Sequence, residues 1–252
     1  MAADISFAHE FWIDTEDFQI AAEDTLLADF RNGENFRGSR LAWFDNRAVR
    51  AEAWQGAERL PLTGRAGDIP AINYMPNAEG LLQLIVQTGV DTVSYKDPEK
   101  FARFVTHKDL DISANPAPEF PLKEAYTRHV KALIAVGHGA GDDTPAGLLL
   151  EFVALKNPYT EDVSAGMPVQ LLEEGNPRAN AQVEVFAKSP AGGVTVSLAR
   201  TDADGRALIP VTPGFHYLLD AVLLRHPTAE VVAKKSAVWH SHWAALTFAV
   251  PD

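Results

Sequence analysis

Short apolar segments closed by turn chemistry recur along most of this chain, and that punctuation constrains the fold more than any other feature. Between Phe11 and Val93, the segments Phe18–Ile20, Leu26–Phe30, Arg40–Phe44, Val49–Trp54 and Leu81–Val86 read as strands. Asn32–Asn35, Asp45–Asn46, Gly64–Gly67 and Pro76–Gly80 separate them, all rich in residues that turn a backbone cheaply. Strands at regular spacing without intervening helices argue for a β-sandwich. A second unit is legible beyond Gly166, in Val169–Leu172, Val183–Ala187, Thr195–Ala199, Ala207–Val211, Tyr217–Leu224 and Trp243–Val250. Its strand density fits an immunoglobulin-like or transthyretin-like sandwich. The expected fold is therefore all-β with minor helices, as two β-sandwich domains divided after Thr160: residues 9–160 and residues 161–252.

Two segments depart from the strand pattern. Asp97-Pro98-Glu99 supplies a helix cap, a proline at the first helical position and an acid in the first turn, and Phe101, Phe104 and Val105 follow at helical spacing. In Leu122–Val136, the residues Leu122, Ala125, Tyr126, His129, Val130, Leu133 and Ile134 recur at i, i+3, i+4 and i+7, which predicts a second helix packed on the sandwich. Between them, Asn115-Pro116-Ala117-Pro118 is unsuited to regular structure. Gly137–Asp143 reads as a flexible glycine-rich loop.

Charge narrows the partners. Asp and Glu number 34 against 22 Lys and Arg, a formal net charge of −12. A surface of that sign repels nucleic acid and anionic lipid and favours cations. Apolar runs such as Leu81–Val86 and Leu148–Leu155 are strand-sized, well short of the ~18 residues of a membrane span. Cysteine is absent, so a metal site must draw on His, Asp, Glu, Met or backbone groups. At the start of the chain, Ser6-Phe7-Ala8 places small residues where signal peptidase needs them, just before His9. Either Met1–Ala8 is what remains of a signal peptide removed or replaced, or it leads into the first strand.

No catalytic signature is present: Gly-x-Ser-x-Gly, His-Glu-x-x-His and the Walker motif are all missing, and a non-enzymatic role is expected. Asp202-Ala203-Asp204-Gly205 starts like a calcium loop but lacks the closing Glu, so a hairpin turn with Gly205 at positive φ is expected. Of the eight histidines, His129 reads as a half-buried, satisfied imidazole, and His107 and His226 as solvated. Trp239-His240-Ser241-His242-Trp243 stands apart. On a strand, residues two apart face one side, so both imidazoles project together as half of a Zn, Ni, Co or Cu site, or merely line a polar face. Were the chain to begin at His9, that residue would add an amine and a ring nitrogen, making a four-nitrogen set with His240 and His242.

Ala8-His9-Glu10-Phe11-Trp12-Ile13 resembles the mature start of a bacterial family of unknown function that is described as the periplasmic component of a cobalt/nickel ABC-type transport system (NikM-like). Gly33–Phe36, Val93–Tyr95, Leu155–Tyr159, Thr201–Gly205 and Trp243–Phe248 follow in that family's order. The resemblance favours a cleaved signal peptide and a periplasmic location. It implies a divalent-metal-binding accessory to metal uptake, with nickel or cobalt preferred and copper or zinc as the other candidates. His9, His240 and His242 are then the expected ligands, Glu10 a fourth or supporting group, and a membrane transporter component a further partner. Where the family tends to carry a carboxylate ahead of the last Trp, this chain has His240 and His242; that either strengthens a metal site or shows the position is not a family-wide ligand. The competing reading is a non-catalytic envelope interaction or carbohydrate-binding module, which expects an exposed aromatic patch from Trp43 and Trp54. A copper oxidase built on an N-terminal His9 ranks third.

Overall fold

The computed structural model describes residues 9–113 and 118–252. The expectations for Met1–Ala8, and those for Asn115–Ala117, lie outside the described residues. Among the described residues the strands are β1 (Glu10–Asp14), β2 (Gln19–Ile20), β3 (Leu26–Glu34), β4 (Arg37–Leu41), β5 (Ala48–Gln55), β6 (Glu58–Pro61), β7 (Ile72–Tyr74), β8 (Gly80–Thr88) and β9 (Asp91–Tyr95). Helix α1 (Pro98–His107) precedes β10 (Leu122–Val136), β11 (Leu150–Ala154), β12 (Met167–Glu173), β13 (Asn176–Pro177), β14 (Gln182–Lys188), β15 (Val194–Arg200), β16 (Arg206–Ile209) and β17 (His216–Arg225). Helix α2 (Ala229–Lys235) leads into β18 (Trp239–Ala249).

The described residues are all-β with two short helices, and they form three layers. A central sheet runs β15-β14-β17-β18-β10-β8-β5-β6, with β2 and β9 also pairing with β10. One outer sheet holds β1, β3, β4 and β7, and the other holds β11, β12, β13 and β16. Strand β10 is the hub: it pairs parallel with β18 and antiparallel with β8. Side chains alternate between faces along such a strand, and here each face meets its own core. Val130, Ala132, Ile134 and Val136 pack with the β1–β3 side, whereas Leu133 packs with Phe152, Leu171 and Leu246 toward β11 and β12.

That double burial is why Leu122–Val136 is a strand and not the expected helix. A strand covered on both faces has no polar face to mark a two-residue period, so its apolar residues match a helical template by accident. The expected boundary near Thr160 falls within a shared architecture: β18, the last strand, lies between β17 and β10, so one sheet draws on both segments.

Local signals fare well elsewhere. Asp97 caps α1 by accepting from the Glu99 amide at 2.9 Å, and Phe101 and Phe104 bury its apolar stripe. Gly205 adopts φ 69° in the turn where Asp202 Oδ1 accepts from the amides of Asp204 and Arg206. The loop after β10 is pinned: Asn157 Nδ2 donates to the carbonyls of Gly139 and Gly141, both at 2.8 Å.

Candidate functional site

The parallel seam of β10 and β18 sets opposite-facing groups in order. Trp239, Ser241 and Trp243 face α1 and β1, so His240 and His242 must face the β11–β12 layer. Their rings lie 4.1 Å apart, as the His-x-His spacing predicts. In the parallel register Thr127 stands beside His242 and His129 beside Ala244, which brings a third imidazole to the same face. His129 Nε2 lies 3.3 Å from His242 Nδ1, and Thr127 Oγ1 lies 2.9 Å from His240 Nε2. The three rings are 2%, 5% and 4% exposed, so they form a buried cluster.

Burial also sets their charge. It pushes His129 down to about 3, His240 to about 4 and His242 to about 2, with Arg225 and the neighbouring imidazoles adding to the effect. All three are neutral at pH 7, so each ring keeps one lone-pair nitrogen of the kind a metal needs. His129 Nδ1 and His242 Nε2 are buried without any hydrogen-bond partner. The contact between His129 Nε2 and His242 Nδ1 pairs one N–H with one lone pair, so one of the two unpartnered nitrogens carries a lone pair and the other an N–H. His129 is therefore not the satisfied imidazole expected from a helical face. Closing the three rings on one ion requires the His129–His242 contact to open.

The other expected ligands lie elsewhere. His9 sets Nδ1 3.1 Å from Glu34 Oε1, and its carbonyl accepts from Arg128. Glu10 is on the opposite face of the central sheet from His242, in a buried cluster around Lys108. There Lys108 Nζ donates to Glu10 Oε1 and Asp220 Oδ2, both at 2.9 Å, and to Glu184. Burial pulls the Lys108 ammonium down, but Asp220, Glu10 and Glu184 together raise it above its usual range. Asp220 is pushed up to about 7 by burial, against the pull of Lys108. The oxygens of Glu10, Glu184 and Asp220 lie within 4.8 Å of one another, a spacing that suits a cation, and Lys108 supplies the charge there. The structure thus joins His240 to His242, adds His129, and leaves His9 and Glu10 apart from them.

Sequence reasoning missed Lys108 because its three acids come from β1, β14 and β17, with no local spacing to connect them. His107 and His226 are exposed, as expected, and each keeps one neighbour: His107 Nε2 is 2.8 Å from Glu184 Oε1, and His226 stacks on Trp239 at 4.9 Å. The aromatic patch expected from Trp43 and Trp54 does not form. Trp43 is buried against Phe30, and Arg59 covers the Trp54 ring at 4.0 Å.

A family model described as a domain of unknown function (DUF4198) matches residues 6–224. The comparison with curated proteins gives no match. Among solved structures, a crystal structure of a tetra-tandem repeat in the extending region of a large adhesion protein aligns at 13% identity and a TM-score of 0.22. The alignment covers 96% of this chain and 49% of that one. A similarity of that size carries no argument about fold or function.

Proposed function

The chain belongs to the DUF4198 family, and we propose that it is a periplasmic protein that binds a divalent transition metal on the β10–β18 face, as an accessory to nickel or cobalt uptake. One observation carries this reading: three neutral imidazoles meet in a buried cluster, with His129 Nδ1 and His242 Nε2 unpartnered. A buried polar nitrogen without a partner costs free energy of order 1–3 kcal/mol, which an ion can recover at the one of the two that bears a lone pair. Nitrogen donors of this borderline kind suit nickel and cobalt, and copper and zinc equally by donor type. His240 and His242 remain the ligands expected from sequence, and His129 joins them in place of His9 and Glu10. A membrane transporter component is the partner this role requires. Among the described residues no helix is long and apolar enough to cross a membrane.

The test is calorimetry with nickel, cobalt, copper and zinc on two versions of the chain, one starting at Met1 and one at His9. Equal micromolar binding in both, lost in His242→Ala, supports the buried face. Binding only when His9 is free would move the site to the N-terminus. No heat from any of the four metals would end the metal reading.

A second reading as an envelope interaction module draws on one feature. Strand β15 ends the central sheet and leaves Val196 47% and Leu198 63% exposed.

A further inference from the structure

On the opposite face from the histidines, a cleft of about 800 Å³ opens beside α1, with Glu10, Glu184 and Lys108 in its lining and Phe104, Phe186 and Val196 forming apolar wall. The charges beneath it do not balance even with Asp220 protonated part of the time: Glu10 and Glu184 share the one Lys108 ammonium with it, and His107 adds a positive partner to Glu184 only when protonated. Glu10 is 6% and Asp220 1% exposed, yet Glu10 Oε2 and Asp220 Oδ1 have no hydrogen-bond partner. Buried carboxylate oxygens left this way are costly, and a donor that reaches them is stabilised in return. Glu34 and Glu99 add two more acids to the lining, and the Arg103 guanidinium is held by Glu99 at 3.7 Å.

We propose that this cleft binds an organic cation, an ammonium group on an apolar body, with Glu10 and Glu184 taking the charge and Phe104, Phe186 and Val196 taking the body. A metal ion fits less well, because Lys108 Nζ already stands among the three carboxylates that would ligate it. An organic ammonium leaves Lys108 in place and approaches Glu10 and Glu184, the two of the three carboxylates that line the cleft. The apolar wall then rewards the rest of the ligand at roughly 25 cal/mol per Å² of apolar surface buried. This site stands on different residues from the histidine face and is independent of it.

The experiment is titration calorimetry of the full chain with benzylammonium, using benzyl alcohol and benzoate as the neutral and anionic counterparts. Saturable binding of benzylammonium alone is expected, weakened about ten-fold or more by Glu10→Gln. Because Glu10 is buried, Val196→Trp provides the second variant: it fills the cleft from an exposed strand position and abolishes binding in a protein that stays folded. Equal binding of benzyl alcohol, no saturation with benzylammonium, or unchanged affinity in Val196→Trp would overturn the proposal. Competitive displacement of benzylammonium by manganese would also overturn it, in favour of a metal site.

Discussion

His129 and His242, 113 positions apart in sequence, meet at 3.3 Å across the parallel seam of β10 and β18. Their contact exists because the last strand of the chain inserts beside β10. The metal reading therefore ties ligand binding to the seam itself. Replacing His129 with Ala should weaken nickel binding about ten-fold or more while leaving His240 and His242 in place, since it removes one nitrogen donor. Titration calorimetry against the unmodified protein checks this. Unchanged affinity would remove His129 from the site and leave the His-x-His pair alone.

The same cluster makes stability depend on pH. Folding holds His129, His240 and His242 at about 3, 4 and 2, below the ordinary histidine value of about 6.5. The unfolded chain therefore takes up protons first as pH falls, and these groups destabilise the fold progressively from pH ~6.5 down toward pH ~4. Four acids oppose this. Burial raises Asp14 and Asp143, and takes Glu124 and Asp220 to about 7, so the folded chain holds their protons and their contribution is lost as pH rises through the carboxylate range. The histidines' share is isolated by comparing the native chain with His129→Asn/His242→Asn, in which the acids are unchanged. Urea titrations at pH 5 and pH 6.5 should show that the gain in stability with pH is smaller in the variant than in the native chain. An equal pH difference in that variant would mean the rings do not stay neutral in the fold.

How much of this could be read in advance depended on whether the signal was local. Phe101 and Phe104 with the Asp97 cap gave α1, and Gly205 gave its turn, because each rests on residues a few positions apart. His240 and His242 were legible for the same reason. Strand β10 was not: Val130, Ala132 and Ile134 bury one face and His129, Lys131 and Leu133 the other, which erases the two-residue alternation. Misreading β10 hid the placement of His129 beside His242, since a helix would have turned it away from β18. Helix α2 was missed for the opposite reason. It buries none of its residues, so Thr228 caps a segment with no apolar stripe to detect. The Lys108 cluster joins residues 98, 76 and 112 positions apart, which only the assembled sheet can bring together.

Lys108 should be among the least replaceable surface-remote charges in the chain. Lys108→Met leaves Glu10, Glu184 and Asp220 buried around an apolar side chain, and removing one partner of a buried ion network typically costs about 3–5 kcal/mol. Denaturant titration should show a loss of that order, larger at pH 8 than at pH 5, where protonation of Asp220, held near 7 by burial, relieves part of the repulsion. A loss below about 1 kcal/mol would mean that the cluster is solvated and screened like a surface pair.

The loop after β10 offers a sharper local test. Asn157 Nδ2 serves two carbonyls at once, Gly139 and Gly141, and Asn157 itself is 1% exposed. Asn157→Ala leaves both acceptors without that donor, at about 1–3 kcal/mol for a buried group left unsatisfied. Hydrogen exchange should then quicken in residues 137–143 before it changes in β18. Unaltered exchange there would show that backbone geometry, with Gly137, Gly139 and Gly141 all at positive φ, holds the loop without the side chain.

The shared central sheet makes the strongest claim about folding. Residues 9–160 contain β10 but neither β17 nor β18, so on their own they expose the β10 edge that β18 covers in the whole chain. That edge carries nine register pairs, from Glu124–Trp239 to Ala132–Thr247, and includes the buried Ser241–Glu124 hydrogen bond and the Trp243–Ser241 one behind it. Losing it strips the His129 and Val130 faces of their neighbours and leaves an unpaired hydrophobic edge, a known route to aggregation. Expressed alone, residues 9–160 should fail to give a cooperative urea transition, while the full chain unfolds in one step by tryptophan fluorescence and circular dichroism together. A soluble, cooperatively folding 9–160 fragment, or two separate transitions in the full chain, would show that the two segments are energetically distinct and that the β10–β18 seam is a docking surface added after each has folded.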